Sequence, residues 1–184
     1  MLRKFFIDER TVLRPLLEAD VPRLYATVEA NRMHLRRFLP WLDITRSQED
    51  IEAFRVRTTA QERDGNGMVR IIEHDQRASG VVGFNSIDQW NHRAELGYWI
   101  DQHLEGRGIC RRGCAALIRF AFEELELNRI TIAAAVENRR SRALAERLGF
   151  TLEGIRRESE WLYDHYVDHA LYGLLRREWH GPDR

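Results

Sequence analysis

Residues 96–110 restrict this chain more than any other segment. Leu96-Gly97-Tyr98-Trp99-Ile100-Asp101 reads as a strand, Glu105-Gly106-Arg107-Gly108 as a turn, and Ile109 onward as a long helix. A strand feeding a glycine turn and then a helix gathers unpaired backbone N–H groups and the positive end of a helix dipole at one point. Such a point suits an anion, with phosphate the natural guess. Glycines at 106 and 108 let the backbone approach closely, and Arg107, Arg111 and Arg112 can add charge at the edge. The same glycines could also serve turn geometry alone.

Two nucleotide-binding signatures can be tested on these residues, and neither fits. The chain has no G-x-x-x-x-G-K-[ST], and Gly106-Arg107-Gly108 lacks the third glycine of G-x-G-x-x-G, where Arg111 stands. The preceding strands also look antiparallel, as three β-rich stretches, Met68 to Glu73, Gly80 to Ile87 and Ala94 to Ile100, joined by turns at Asp75-Gln76 and Asn91-His92. A doubly wound dinucleotide fold needs parallel strands there.

Around this centre the patterning gives alternating elements. A strand from Thr11 to Leu16 precedes a helix with Asp20 as N-cap and Pro22 in its first turn, and a second helix starts at Ser47, where Ser47-Gln48-Glu49-Asp50 resembles a capping box. Phe38 to Leu42 is an apolar connector, read mostly as core and otherwise as a pocket wall. After the helix Gly108 to Leu125 come a strand Arg129 to Val136, a helix Ser141 to Leu148 ended by Gly149, and two strands, Thr151 to Trp161 and Tyr166 to Leu174. The expected class is α/β of the α+β type, a mixed sheet with a helical N-terminal portion, in a single domain spanning residues 1–184.

Composition narrows the function classes. Basic and acidic residues number 29 each, so no overall field gathers polyanions, and direct nucleic-acid binding is not expected. Ile130 to Val136, the longest apolar run, is far short of the roughly 20 residues that span a bilayer, and charges through residues 3–18 interrupt any secretory signal. A cytoplasmic location without membrane contact is expected. Cys110 and Cys114 lack a second pair that would complete a zinc set, and His165 and His169, four apart, lack any supporting H-E-x-x-H. Incidental thiols, hairpin histidines and no metal are the expectation.

The run Leu96 to Cys110, then Asn138-Arg139-Arg140-Ser141, then Glu146-Arg147-Leu148-Gly149-Phe150-Thr151-Leu152-Glu153-Gly154, resembles the acetyl-coenzyme A-dependent GNAT N-acetyltransferases. The likeness is strongest to the RimJ/RimL branch, which acetylates the N-termini of ribosomal proteins. It implies a mainly antiparallel twisted sheet with splayed central strands and a cofactor loop of pattern Q/R-x-x-G-x-G/A. That loop would comprise Glu105, Gly106, Arg107, Gly108, Ile109 and Cys110, followed by Arg111. Glu105 and Cys110 depart from the pattern; Glu105 is expected to point away or to pair with Arg107. The backbone of Trp99 and Ile100 and the side chain of Asn138 would hold the pantetheine arm, and a backbone N–H near the end of the splayed strand would hold the oxyanion.

The implied reaction is direct attack of an amine on the thioester. Ser141 would protonate the departing sulfur, although a serine at a helix start is also an ordinary N-cap. Glu95, Glu158, Glu160 and Tyr163 are candidates for the base, with Glu160 preferred and Glu95 second. At pH 7 an α-amine of pKa about 8 is short of neutrality by about 1 unit, whereas a lysine is short by about 3.4, so an N-terminal amine asks less of a single carboxylate. Two other functions remain: acetylation of a small amine such as a polyamine, amino acid or drug, and a non-catalytic acyl-coenzyme A-binding regulatory domain. Trp161, Tyr163, Tyr166 and Trp179 provide aromatic surface for a homodimer, or equally for core packing.

Overall fold

The structure, a computed structural model, describes residues 3–181. Eight strands form one sheet, and four helices cover its two faces. In chain order the elements are β1 (Phe5–Asp8), β2 (Thr11–Arg14), α1 (Val21–Leu35), α2 (Gln48–Arg63), β3 (Met68–His74), β4 (Arg77–Asp88), β5 (Arg93–Ile100), α3 (Ile109–Glu123), β6 (Arg129–Ala135), α4 (Arg139–Arg147), β7 (Thr151–Leu162) and β8 (His165–Leu175). The sheet order is β1-β2-β3-β4-β5-β6-β8-β7, antiparallel everywhere except between β5 and β6.

The hairpins follow from their turns. Asp75 and Gln76 both take positive φ, +49° and +62°, which matches the twist of a two-residue hairpin loop, and β3 and β4 pair on either side of them. The strand expected from Thr11 to Leu16 stops at Arg14, because Pro15 has no N–H to offer the ladder. Ahead of it lies β1, which the sequence reading had passed over.

α3 lies on one face, where Leu117, Ile118 and Phe122 pack with Val82, Phe84 and Leu96 of the sheet. On the other face Leu24 and Val28 of α1 and Ile51 of α2 meet Ile71 and Val81. β5 contributes to both, since its side chains alternate: Leu96 is in the first core, whereas Trp99 packs against the second.

Asp20 stands at the N-cap position of α1, as expected, but its side chain makes no cap hydrogen bond. Its carboxylate accepts from Leu17 N–H at 2.9 Å, in the short 3-10 turn Glu18–Asp20, and from both terminal nitrogens of Arg14 at 2.6 and 2.7 Å. Burial works to raise the Asp20 carboxyl, but Arg14 and the Leu17 N–H outweigh it and hold the carboxyl below its ordinary range. Ser47 does open α2 in a capping box with Asp50. The connector is corrected: Leu42 alone is fully core, while Phe38, Leu39, Pro40 and Trp41 line a cavity. Among the described residues no helix is long and apolar enough to cross a membrane.

Arg70 on β3 is completely buried and is a clamp between layers. It donates twice to Glu62 at the end of α2, both at 2.7 Å, and to the carbonyls of Arg3 and Val69 at 2.9 and 2.8 Å. Replacing it leaves Glu62 and two carbonyls unmatched. Arg70→Met is expected to destabilise the fold by about 3 kcal/mol, measured by urea unfolding.

Candidate active site

The one parallel pairing in the sheet is short. β5 and β6 are in register only at Arg93–Arg129, Ala94–Ile130 and Glu95–Thr131. Beyond Glu95 the two strands separate, each still paired on its outer side, β5 with β4 up to Ile100 and β6 with β8 up to Ala135. Asp101 N–H donates to Ser79 carbonyl at 2.8 Å, next to the Ile100–Gly80 pair. Antiparallel alternation therefore sends the backbone groups of Trp99 to β4 and turns those of Tyr98 and Ile100 into the gap. Of the two residues expected to hold an extended ligand by their backbone, Ile100 offers its groups and Trp99 does not.

A cavity of about 670 Å³ occupies the gap, walled in part by residues of α1 and α2. Tyr98, Trp99, Asn138, Ser141, Glu95 and Glu160 are all on its wall, so Glu160 and Ser141 meet there with Trp99 and Asn138, while Glu158, Tyr163 and Ile100 do not line it. Residues 105–111 line no part of it. They form instead the approach to α3, whose N-cap is Gly108. Gly106 and Gly108 sit at φ +75° and +70°, a conformation an L side chain resists, and no side chain caps the first turn. Cys110, buried in that turn, is accommodated without distortion of the helix. Arg112 is tied to Asp8 at 2.8 Å, leaving Arg107 nearer the turn itself.

Glu105 does not pair with Arg107. Its Oε1 lies 2.8 Å from His34 Nε2, and its other oxygen pairs with Arg140. The carboxylate is thus drawn toward α1 and the start of α4, and its charge is balanced there, so a phosphate at the turn meets free N–H groups. The open strand edges, the positive-φ glycines and this neutralised glutamate together fit a phosphate carried on an extended arm.

α4 begins earlier than expected, at Arg139, with Asn138 as N-cap: Asn138 Oδ1 accepts from Ser141 N–H at 3.1 Å. One consequence is that Asn138 keeps only its amide N–H groups for a ligand. Another is that Ser141 lies inside the first turn and its hydroxyl has no capping duty. Ser141 Oγ is instead 3.0 Å from the hydroxyl of Tyr98. Burial, reinforced by Cys114, pushes the Tyr98 phenol well above its ordinary pKa, so it remains a proton-bearing partner. Tyr98 was missed as a site residue because nothing in a strand's letters tells which aromatic will meet a helix N-terminus.

The candidate carboxylates separate. Glu95 accepts a long 3.4 Å contact from Asn85, which bulges out of β4 and fills the space beside Gly97; a Cβ at 97 would lie 2.6 Å from Asn85 Nδ2. Glu160 faces the cavity from β7. Glu158 is exposed at φ +46°, and its N–H donates to Asp168 at 2.8 Å. Tyr163 is spent on structure: its hydroxyl donates to Leu39 carbonyl and Arg36 stacks on its ring at 3.7 Å. His165 lies beside exposed Asp164, whereas His169, expected to be an ordinary hairpin residue, lines the cavity. No cluster of three metal-ligating side chains occurs among the described residues.

Comparison with known proteins converges on one family. The model of the acetyltransferase (GNAT) domain matches residues 10–151. A putative ribosomal N-acetyltransferase, YdaF, of Bacillus subtilis is 36% identical over 95% of this chain and 96% of its own. The ribosomal-protein-serine acetyltransferase of Escherichia coli is 32% identical over 92% and 94%. Among solved structures, the ribosomal L7/L12 alpha-N-protein acetyltransferase RimL in complex with coenzyme A superposes with a TM-score of 0.91 at 29% identity, covering 94% of this chain and 98% of that one.

The glutamate clamp carries a pH dependence. Burial first, then Arg37 and Arg140, hold the His34 imidazole below its ordinary pKa of 6.5. The unfolded chain therefore takes up this proton at higher pH than the folded one, and stability is lost as pH falls from about 6.5 through the folded pKa. Thermal melts between pH 7.5 and 5 are expected to fall more steeply for the unaltered protein than for His34→Gln.

Proposed function

The chain belongs to the GNAT acetyltransferase family, and from that premise we propose that it acetylates the N-terminal α-amine of a protein, a ribosomal protein foremost, in the cytoplasm. It is an N-acetyltransferase that uses acetyl-coenzyme A. The observation that carries the proposal is that Glu160 of β7 and Ser141 of α4 line one cavity at the β5–β6 gap. Relatives named for ribosomal-protein acetylation align over more than nine-tenths of the chain, which favours a protein acceptor over a small amine.

Acetyl-coenzyme A supplies the acetyl group as an activated thioester. Its phosphates would meet the backbone N–H groups of Gly106 to Arg111, and its arm would lie against the open edge at Tyr98 and Ile100, with Asn138 donating from its amide. Glu160 receives the proton of the incoming ammonium, directly or through one water, a modest demand for an α-amine. Ser141 holds a proton at the sulfur end, and Tyr98, kept protonated by burial and 3.0 Å away, orients its hydroxyl. The low-dielectric gap strengthens each of these interactions.

The test is turnover, followed as thiol release, on peptides with free N-termini against spermidine and free amino acids. Peptides are expected to give the higher kcat/KM; equal or better turnover of small amines would overturn the acceptor reading. Glu160→Gln is expected to lower kcat/KM about 100-fold or more, and Ser141→Ala about tenfold, with coenzyme A affinity unchanged in both.

A second copy of the chain is the proposed partner of the β7–β8 edge. Trp161 and Tyr166 stack edge to face at 4.8 Å yet remain 53% and 58% exposed, and Leu152 and Ile155 are exposed farther along β7, whereas Tyr163 and Trp179 are folded inward. Light scattering is expected to give twice the 21.8 kDa chain mass, falling toward the monomer for Trp161→Glu.

A further inference from the structure

We propose that His169 is a positioning residue for Glu160, fixing which carboxylate oxygen meets the acceptor amine. The inference rests on the reading of Glu160 as the base, and the experiments below separate the two.

The geometry begins with a bulge. His169 of β8 is paired with Arg156 of β7, and Val167 with Glu160, so four steps along β7 match two along β8. In a regular ladder Glu158 would stand opposite Val167. The two extra residues carry Glu158 out to solvent and bring Glu160 into that place, on the same face as His169 and diagonal to it. His169 Nε2 then lies 3.4 Å from Glu160 Oε2, an ion-pair separation, with the imidazole 13% and the glutamate 31% exposed. Both line the cavity. On its other side His169 is opposite Ala135 of β6, whose methyl leaves the ring undisturbed.

The second ring nitrogen strengthens the case. His169 Nδ1 is buried without a hydrogen-bond partner. A proton on Nε2 faces the Glu160 carboxylate, whereas one on Nδ1 would be a buried donor with no acceptor. The surroundings therefore favour a proton on Nε2, the nitrogen that lies near Oε2. With Oε2 engaged, Oε1 is the oxygen left for the amine or its bridging water. Without His169, a glutamate with three free torsions must be ordered anew in each turnover, and small misplacements of a base are costly in rate.

The substitutions His169→Ala, His169→Asn and His169→Gln discriminate. Glutamine places a donor where Nε2 was, while asparagine places it where Nδ1 was. Alanine and asparagine variants are expected to lose about 10- to 100-fold in kcat with the acceptor KM changed little, and glutamine to recover most of that loss. Each variant should keep the thermal shift induced by coenzyme A; if the alanine protein does not fold, the asparagine–glutamine contrast alone decides. Because His169 acts through Glu160, the double variant Glu160→Gln with His169→Ala should be no slower than Glu160→Gln. Imidazole 15N shifts should report the Nε2–H tautomer in the unaltered protein and a mixture in Glu160→Gln. Full activity of His169→Ala, equal activity of the asparagine and glutamine variants, or multiplicative losses in the double variant would overturn the positioning role. If Glu160→Gln itself retains full kcat/KM, the base assignment falls, and this inference with it.

Discussion

The site depends on a parallel strand pairing that lasts only three residues. Had β5 and β6 remained in register, their inner edges would have consumed each other's hydrogen bonds and closed the sheet. Because they part after Glu95 and Thr131, two half-sheets diverge, and the backbone of Tyr98 and Ile100 is left facing a gap. A strand edge inside a protein is ordinarily a liability; here it is an extended binding surface, closed at one end by the remaining pairs. The cavity, the entry of α4 at Asn138 and the approach to α3 all take their positions from that divergence.

Electrostatics then adapts the frame to its ligand. In the proposed reading a glutamate beside a turn that holds phosphate would repel its ligand, and Glu105 is drawn instead toward His34 and Arg140. Both partners come from other elements, α1 and α4, so the same contact fastens the helices flanking the gap. The β7 bulge is a second irregularity in a ladder, and it sets Glu160 on the cavity wall where regular pairing would have set Glu158.

Much of this was legible in the letters. The glycine turn before α3, the capping box at Ser47, the hairpins of β3 to β5 and the helix after Asn138 are local signals, since turn chemistry and capping act over three or four residues. The family resemblance extended that reading to Glu160 and Ser141, and the cavity contains both. Asp20 illustrates the limit. It has the identity of an N-cap, yet Arg14, six residues earlier, and the neighbouring 3-10 turn claim its carboxylate.

The sequence by itself determined a mixed sheet, the order of its elements from β2 onward and the residue types available to a phosphate, a thiol and an amine, because periodicity and turn chemistry are written locally; the mainly antiparallel arrangement came with the family resemblance. Only the tertiary structure decided that Tyr98 would meet Ser141, that Glu105 would turn to Arg140, and that Glu160 would be brought beside His169 while Glu158 went to solvent. Each of those outcomes hangs on register and on approach between elements far apart in the chain. A shift of one or two residues in a ladder leaves composition and local propensity unchanged while deciding which side chain enters the site.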